Sequence, residues 1–227
     1  MRPLLAARVA NQENNQSMAQ EHNFTGDVLG DDRDSRSYAF GLFLSRVFHP
    51  IFLNILMFLT VGYFAMPTHM QGFLWAMTCI AAMVLPPTIF FAIRLRQGVY
   101  SDEDISVREQ RTELYFFGLV SVTAGAIVLV LLGLPKPFLA LIVSALTMGV
   151  LGMVINSFWK ISVHAGSVAS AAAVATVYSR GLGLALWLCV LAVGWARIKT
   201  GNHSPLQVLV GAVLAAVVVF SAFRWIA

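Results

Sequence analysis

Apolar residues in this chain run on for whole helix lengths instead of alternating with polar ones. Seven such runs stand out, at residues 50–66, 73–94, 114–132, 137–158, 163–179, 182–197 and 204–226. A hydrocarbon core takes about 20 residues of helix. The pattern therefore predicts an all-α polytopic membrane protein, a helical bundle of six to seven transmembrane helices. The fifth and sixth runs are short by that measure, and only Ser179-Arg180-Gly181 divides them, which predicts a tight helical hairpin. Pro86-Pro87 predicts a kink in the second helix. The fifth run is rich in small residues (Ala165-Gly166-Ser167, then Ser170-Ala171-Ala172-Ala173), which let membrane helices approach closely and predict a central place for this helix.

Residues 1–45 contrast with the rest of the chain. They are polar, with runs such as Asn11-Gln12-Glu13-Asn14-Asn15-Gln16 and Asp31-Asp32-Arg33-Asp34, and the short apolar stretch from Leu4 to Ala10 is broken by Arg8. The expectation is a disordered cytoplasmic tail at 1–45 without a signal-peptide core, followed by one membrane helical domain at 46–227.

Composition agrees with the pattern. Of 227 residues, 58% are hydrophobic and 11% charged, and the mean hydropathy is +0.76; a soluble domain carries about 25% charged residues. Cys79 and Cys189 both lie in apolar runs and suggest neither a disulfide framework nor a zinc site. The net charge of +4 makes no case for a nucleic-acid partner; a positive-inside bias accounts for it. The polar breaks at 95–113, 159–162 and 197–203 follow two, four and six crossings, so all three emerge on one face. Only Lys136, Arg180 and Arg224 fall on the other; the remaining 12 of the 15 Lys and Arg share the first face, which the positive-inside rule makes cytoplasmic. Discounting Arg108, Arg111, Lys160, Arg197 and Lys199 as ligand-directed leaves that assignment unchanged. The acids are lopsided too. Six precede residue 35, the other five (Asp102, Glu103, Asp104, Glu109 and Glu113) share one loop, and none comes after Glu113.

Chemistry concentrates on that one face. Its breaks hold Arg108 and Arg111; Lys160, Ser162 and His164; and Arg197, Lys199 and His203. Cations converging with two histidines suit a phosphate, since arginine grips phosphoryl oxygens bidentately. One imidazole can attack phosphorus while the other protonates a departing oxygen. Ser204-Pro205-Leu206-Gln207 adds helix-start chemistry, with Ser204 as N-cap, Pro205 at the first helical position and Gln207 as a capping-box partner. A helix N-terminus among cations favours a bound anion.

The order and spacing of these residues resemble the type-2 phosphatidic acid phosphatase superfamily, whose motifs are Lys-x6-Arg-Pro, Pro-Ser-Gly-His and Ser-Arg-x5-His-x3-Asp. The third resembles Ala196-Arg197-x5-His203-x3-Gln207, and the second resembles Ile161-Ser162-Val163-His164. The nearest stretch to the first is Asp104-Ile105-Ser106-Val107-Arg108-Glu109-Gln110-Arg111, without its Lys or its Pro. The resemblance spans residues 95–225. It implies a metal-independent, cofactor-free hydrolase of a lipid phosphate or diphosphate, phosphatidate-like or polyprenyl, working through a phosphohistidine. It implies His203 as nucleophile, His164 as general acid, Arg197 and Ser162 on the phosphoryl oxygens and Arg111 as the first-motif arginine, with Arg108 or Lys160 replacing the missing lysine.

The departures bear on activity. Gln207 stands where the family has the Asp that orients the nucleophile; its carbonyl can accept the ring N–H but cannot offset an imidazolium. Helix capping with Ser204 is an equal explanation for it, and Asp102 or Asp104 could bring a carboxylate instead. Ala196 and Val163 replace the family Ser and Gly. The residues also admit two other readings: a catalytically degenerate protein that binds anionic lipid, and a magnesium-dependent intramembrane prenyltransferase using Asp102-Glu103-Asp104. A transporter finds no acid or base in the middle of the later helices. Oligomeric state is not encoded in any of these features.

Overall fold

The computed structural model describes residues 35–105 and 107–227, and among them there is no strand. Each of the seven apolar runs is a helix, and an eighth precedes them. They are α1 (Arg36–Val47), α2 (Pro50–Ala65), α3 (His69–Arg96), α4 (Arg111–Leu131), α5 (Lys136–Asn156), α6 (Val163–Tyr178), α7 (Arg180–Lys199) and α8 (Pro205–Trp225). Five are long and apolar enough to cross a membrane, or six if α1 and α2, bent by 43° at their junction, form one span. The chain is a multi-pass membrane protein. The count falls below seven because α6 has 16 residues, about 24 Å of helix against a hydrocarbon core of about 30 Å.

Two features of the tail and the second helix differ from a simple reading. The tail reading at 1–34 lies outside the described residues, whereas Arg36–Val47 is already helical, capped by the Ser35 hydroxyl, which accepts the Tyr38 N–H at 3.2 Å. In α3, a π turn at Ile80–Val84 sits just before Pro86 and Pro87. The prolines have no N–H for the carbonyls one turn back, and the wider turn takes up the change in register.

Hydroxyl caps start most of the helices. Thr68, Ser162, Ser179 and Ser204 each accept a backbone N–H from the first turn of the helix they open. Ser179 alone joins α6 to α7, closing the expected hairpin. Its two arms pack tightly enough for Trp187 Nε1 to donate to Thr176 Oγ1 at 3.1 Å. The small residues of α6 do place it centrally: His164 to Gly166, Val168, Ala169 and Ala171 to Ala175 are all buried, against α7, α8 and α2. Because successive helices alternate in direction, the starts of α2, α4, α6 and α8 and the ends of α3, α5 and α7 meet at one end of the bundle. The short α6 sets its first turn into that end, where Ser162 is fully buried and His164 nearly so.

Candidate functional site

The turn from α7 to α8 builds one side of a polar cluster at this end. Gly201 takes a φ of +71°, a conformation that suits glycine. The chain folds back there, and the His203 N–H donates to the Arg197 carbonyl at 3.2 Å. The five-residue interval between Arg197 and His203 is thus a closed loop, which delivers guanidinium and imidazole to the same place. Arg197 is 1% exposed and His203 6%.

Gln207 stands at the start of α8 and fills two roles with one atom. Its Oε1 accepts the Ser204 N–H at 3.0 Å, while its own N–H donates to Ser204 Oγ at 3.3 Å, completing the capping box. The same Oε1 lies 3.3 Å from His203 Nδ1. A backbone N–H can only donate, so this atom is an acceptor, and Nδ1 carries the proton. The His203 Nε2 lone pair is left free for chemistry. Burial, then the charges of Arg197, Arg111 and Lys160, push the His203 pKa down to about 3, against a smaller opposing effect of the Gln207 bond. The ring is neutral at neutral pH.

The second side is the start of α6. Ser162 Oγ accepts the Ala165 N–H at 3.3 Å as N-cap, and its own hydroxyl hydrogen stays available to donate. The Ser162 N–H donates to the Gln207 carbonyl at 3.2 Å, tying this side to the first. His164 is 6% exposed, and its Nε2 has no hydrogen-bond partner.

The third side is the acidic loop. Arg111, 6% exposed, donates from Nε to the Ile105 carbonyl at 2.7 Å and from Nη2 to the Asp104 carbonyl at 3.3 Å. The Asp104 carboxylate then reaches across the cluster: Oδ2 is 2.9 Å from Arg197 Nη1, and Oδ1 is 3.7 Å from His164 Nε2. Asp102 closes the turn, its Oδ1 accepting the Asp104 N–H at 2.9 Å and its Oδ2 the Ser101 hydroxyl at 2.8 Å.

His203, His164, Arg197, Ser162, Arg111 and Gln207 therefore share one end of the bundle. Lys160 stands beside them, partly buried, and its pKa is lowered by burial and then by Arg111 and Arg197. Arg108 does not join them. It is turned to Glu109 at 3.1 Å and to the Ser157 carbonyl at 3.0 Å, and pins the loop to the end of α5. Of the two substitutes for the first-motif lysine, only Lys160 lies where its charge acts on His203.

Two participants have places that the sequence does not assign. Asp104 pairs with Arg197 and His164 instead of with the nucleophile. His49, the N-cap of α2, stacks edge-on against His164 with ring centroids 5.7 Å apart, while its Nδ1 accepts the Ile51 N–H at 3.3 Å. The His49-Pro50 pair at the start of a run is the available signal, since Pro at a first helical position makes the preceding residue a cap.

Electrostatically the cluster is under-supplied with acceptors. Arg197 Nε, Arg111 Nη1 and His164 Nε2 are buried without a hydrogen-bond partner. Buried polar atoms normally have one, and two arginines this deep invite more negative charge than Asp104 carries. Beneath these groups opens a cleft of about 320 Å³ between α2, α3, α4 and α5. His49, Asp104, Arg111 and His164 stand at its polar end, and Pro87, Phe91, Leu114, Leu119, Val122 and Leu146 line its length. A wider groove of about 680 Å³ between α7 and α8 is almost wholly apolar, and none of the site residues lines it. Among the described residues no three His, Cys, Asp or Glu side chains group to hold a metal ion. No family model, curated protein or solved structure matches the chain.

Proposed function

We propose that this chain is a membrane phosphohydrolase that cleaves a lipid phosphate or diphosphate through a phosphohistidine on His203. The observation that carries the reading is that Arg111, Asp104 and His164 line the polar end of an apolar cleft, that Asp104 joins His164 to Arg197, and that His203 lies within the field of both arginines, whose buried Nε and Nη1 groups still lack an acceptor. A phosphoryl group supplies those acceptors, and the cleft takes the chain attached to it.

The first step is set by the tautomer of His203. His203 Nε2 attacks phosphorus as the bond to the leaving oxygen breaks, with Arg197 and Ser162 on the phosphoryl oxygens. His164 Nε2 first takes up the proton of the monoanionic phosphate and then gives it to the leaving oxygen, so the lipid alcohol leaves neutral. Water then attacks the phosphohistidine and gives its proton to His164, releasing inorganic phosphate and free His203. Arg197, Arg111 and Lys160 provide the positive charge that phosphoryl transfer needs as negative charge shifts between oxygens. Gln207 fixes the tautomer of the nucleophile, as the buried carboxylate does for a serine-protease histidine, but adds no countercharge.

The alternative of an anionic-lipid-binding protein without turnover is favoured by that missing charge. The prenyltransferase reading is weakened because the carboxylates of Asp102 and Asp104 are engaged by protein donors. Placement of the active face in the cytoplasm rests on the charge count alone. The deciding experiment assays the purified protein and His203→Ala on long-chain phosphates without added metal. Phosphate release by the wild type and its loss in the variant are expected. Equal release by both would sink the nucleophile, and lipid binding by both with no release by either would favour the binding protein.

A further inference from the structure

Asp104 sits where an anion would. Its Oδ2 is 2.9 Å from Arg197 Nη1 and its Oδ1 3.7 Å from His164 Nε2. In the phosphohydrolase reaction, a phosphoryl oxygen occupies the first of those places and the leaving oxygen the second. The carboxylate thus spans the anion-binding arginine and the general acid as the substrate would. It does so incompletely, because Arg197 Nε, Arg111 Nη1 and His164 Nε2 stay unpartnered. A flat carboxylate offers two oxygens and one charge, whereas a phosphate monoester offers three free oxygens and up to two charges.

The backbone that carries this carboxylate is not relaxed. Ile105, the next residue, holds a φ of +45°, a region that a β-branched side chain avoids. Arg111 imposes it by binding the Asp104 and Ile105 carbonyls together. The loop is therefore drawn inward by Arg197 and Arg111, two of the cations the phosphate would use, and a ligand that binds them releases the strain as it releases the loop.

We propose that Asp104 is a resident mimic of the substrate's phosphoryl group, a plug that a phosphate must displace from Arg197 to reach His203. The proposal rests on the phosphohydrolase reading, since it names what the pocket otherwise binds. Carboxylate and phosphate cannot share the seat, because like charges so close repel and the donors cannot serve both. The plug also explains how two buried arginines are tolerated in a site awaiting its ligand.

The test measures binding without turnover, on the full chain in nanodiscs, with inorganic phosphate and a long-chain alkyl phosphonate as probes. Asp104→Asn removes the competing charge, and a charge-assisted bond of ordinary strength makes the gain in affinity about tenfold. A gain with either probe supports the plug, and the probe that shows it separates free phosphate from a lipid headgroup. Unchanged or weaker binding in the variant, with the wild type binding, overturns the plug and leaves the phosphohydrolase reading standing. Binding of neither probe by either protein overturns both. A measurement on the wild type covers the case in which the variant does not fold. Hydrogen exchange over residues 98–105 should rise when phosphate saturates the site, and unchanged protection overturns the plug.

Discussion

Gln207 Oε1 lies 3.3 Å from His203 Nδ1 and 3.0 Å from the Ser204 backbone N–H, so one oxygen both caps α8 and sets the tautomer of the candidate nucleophile. The two functions separate by substitution. Gln207→Ala removes both, lowering turnover by roughly 10²–10⁴-fold, the scale on which a wrong histidine tautomer acts. It also destabilises the helix by about 1 kcal/mol. Gln207→Glu keeps both acceptor contacts and adds a countercharge for the imidazolium, so kcat should rise and the His203 pKa with it. Turnover insensitive to either change, measured on a soluble short-chain phosphate, would remove His203 from the chemistry.

The buried, cation-ringed imidazole of His203 makes a pH prediction of definite sign. Its pKa is about 3 in the fold against 6.5 when unperturbed. Between those values the unfolded chain takes up a proton that the folded protein refuses. Stability is therefore full above pH 6.5 and falls as pH drops towards 3, by up to about 1.4 kcal/mol per pH unit. Urea unfolding at stepped pH should show this loss, and His203→Asn should flatten it. The acid limb of kcat/KM, which reports the free enzyme, should not carry a His203 ionisation near 6.5.

Gly211 links packing to the site without contributing a side chain. A Cβ placed there would stand 2.8 Å from the Ser162 carbonyl oxygen. The Ser162 N–H in turn holds the Gln207 carbonyl at 3.2 Å. Gly211→Ala should destabilise by about 1–3 kcal/mol through overpacking and lower kcat by displacing Ser162 from the phosphoryl oxygens. Gly181→Ala, where nothing lies within 4 Å of the added atom, is the control. It should leave turnover unchanged and stabilise by up to about 1 kcal/mol from helix propensity.

The bundle is readable because its signals are local. Unbroken apolar runs, hydroxyl caps and Gly201 each act within a turn of where they stand, and the Arg197 to His203 interval closes through a single backbone hydrogen bond. The hairpin at Ser179 needs only the shortness of the break. What escapes depends on partners far along the chain. Asp104 meets Arg197 across 93 positions, and nothing near residue 104 distinguishes its carboxylate from those of Asp102 and Glu103. His49 meets His164 because α2 and α6 pack together, which no spacing announces. Helix α1 is hidden by its polar flank, although Phe40, Phe43 and Val47 give it an exposed apolar side. Arg108 belongs with the site by position in a loop, yet its side chain turns instead to the nearest acid and carbonyl.

Chain-length dependence gives the cleft its own test. Each methylene buried along Leu114, Leu119 and Val122 is worth about 0.8 kcal/mol, close to a fourfold step in KM per carbon until the cleft is full. Gly118 lines this cleft, and a Cβ added there meets nothing within 4 Å, so a larger side chain grows into the space a lipid tail would use. Gly118→Leu should leave KM for a short-chain phosphate unchanged, raise it for long chains and flatten the dependence on length, with kcat for the short substrate preserved because no residue of the anion pocket has moved. An equal loss at every length would indicate damage to the pocket itself. An unaltered chain-length profile would mean that the tail leaves by another route, the apolar groove between α7 and α8 being the alternative surface. The same substitution made there, at Ala216, should then flatten the profile instead.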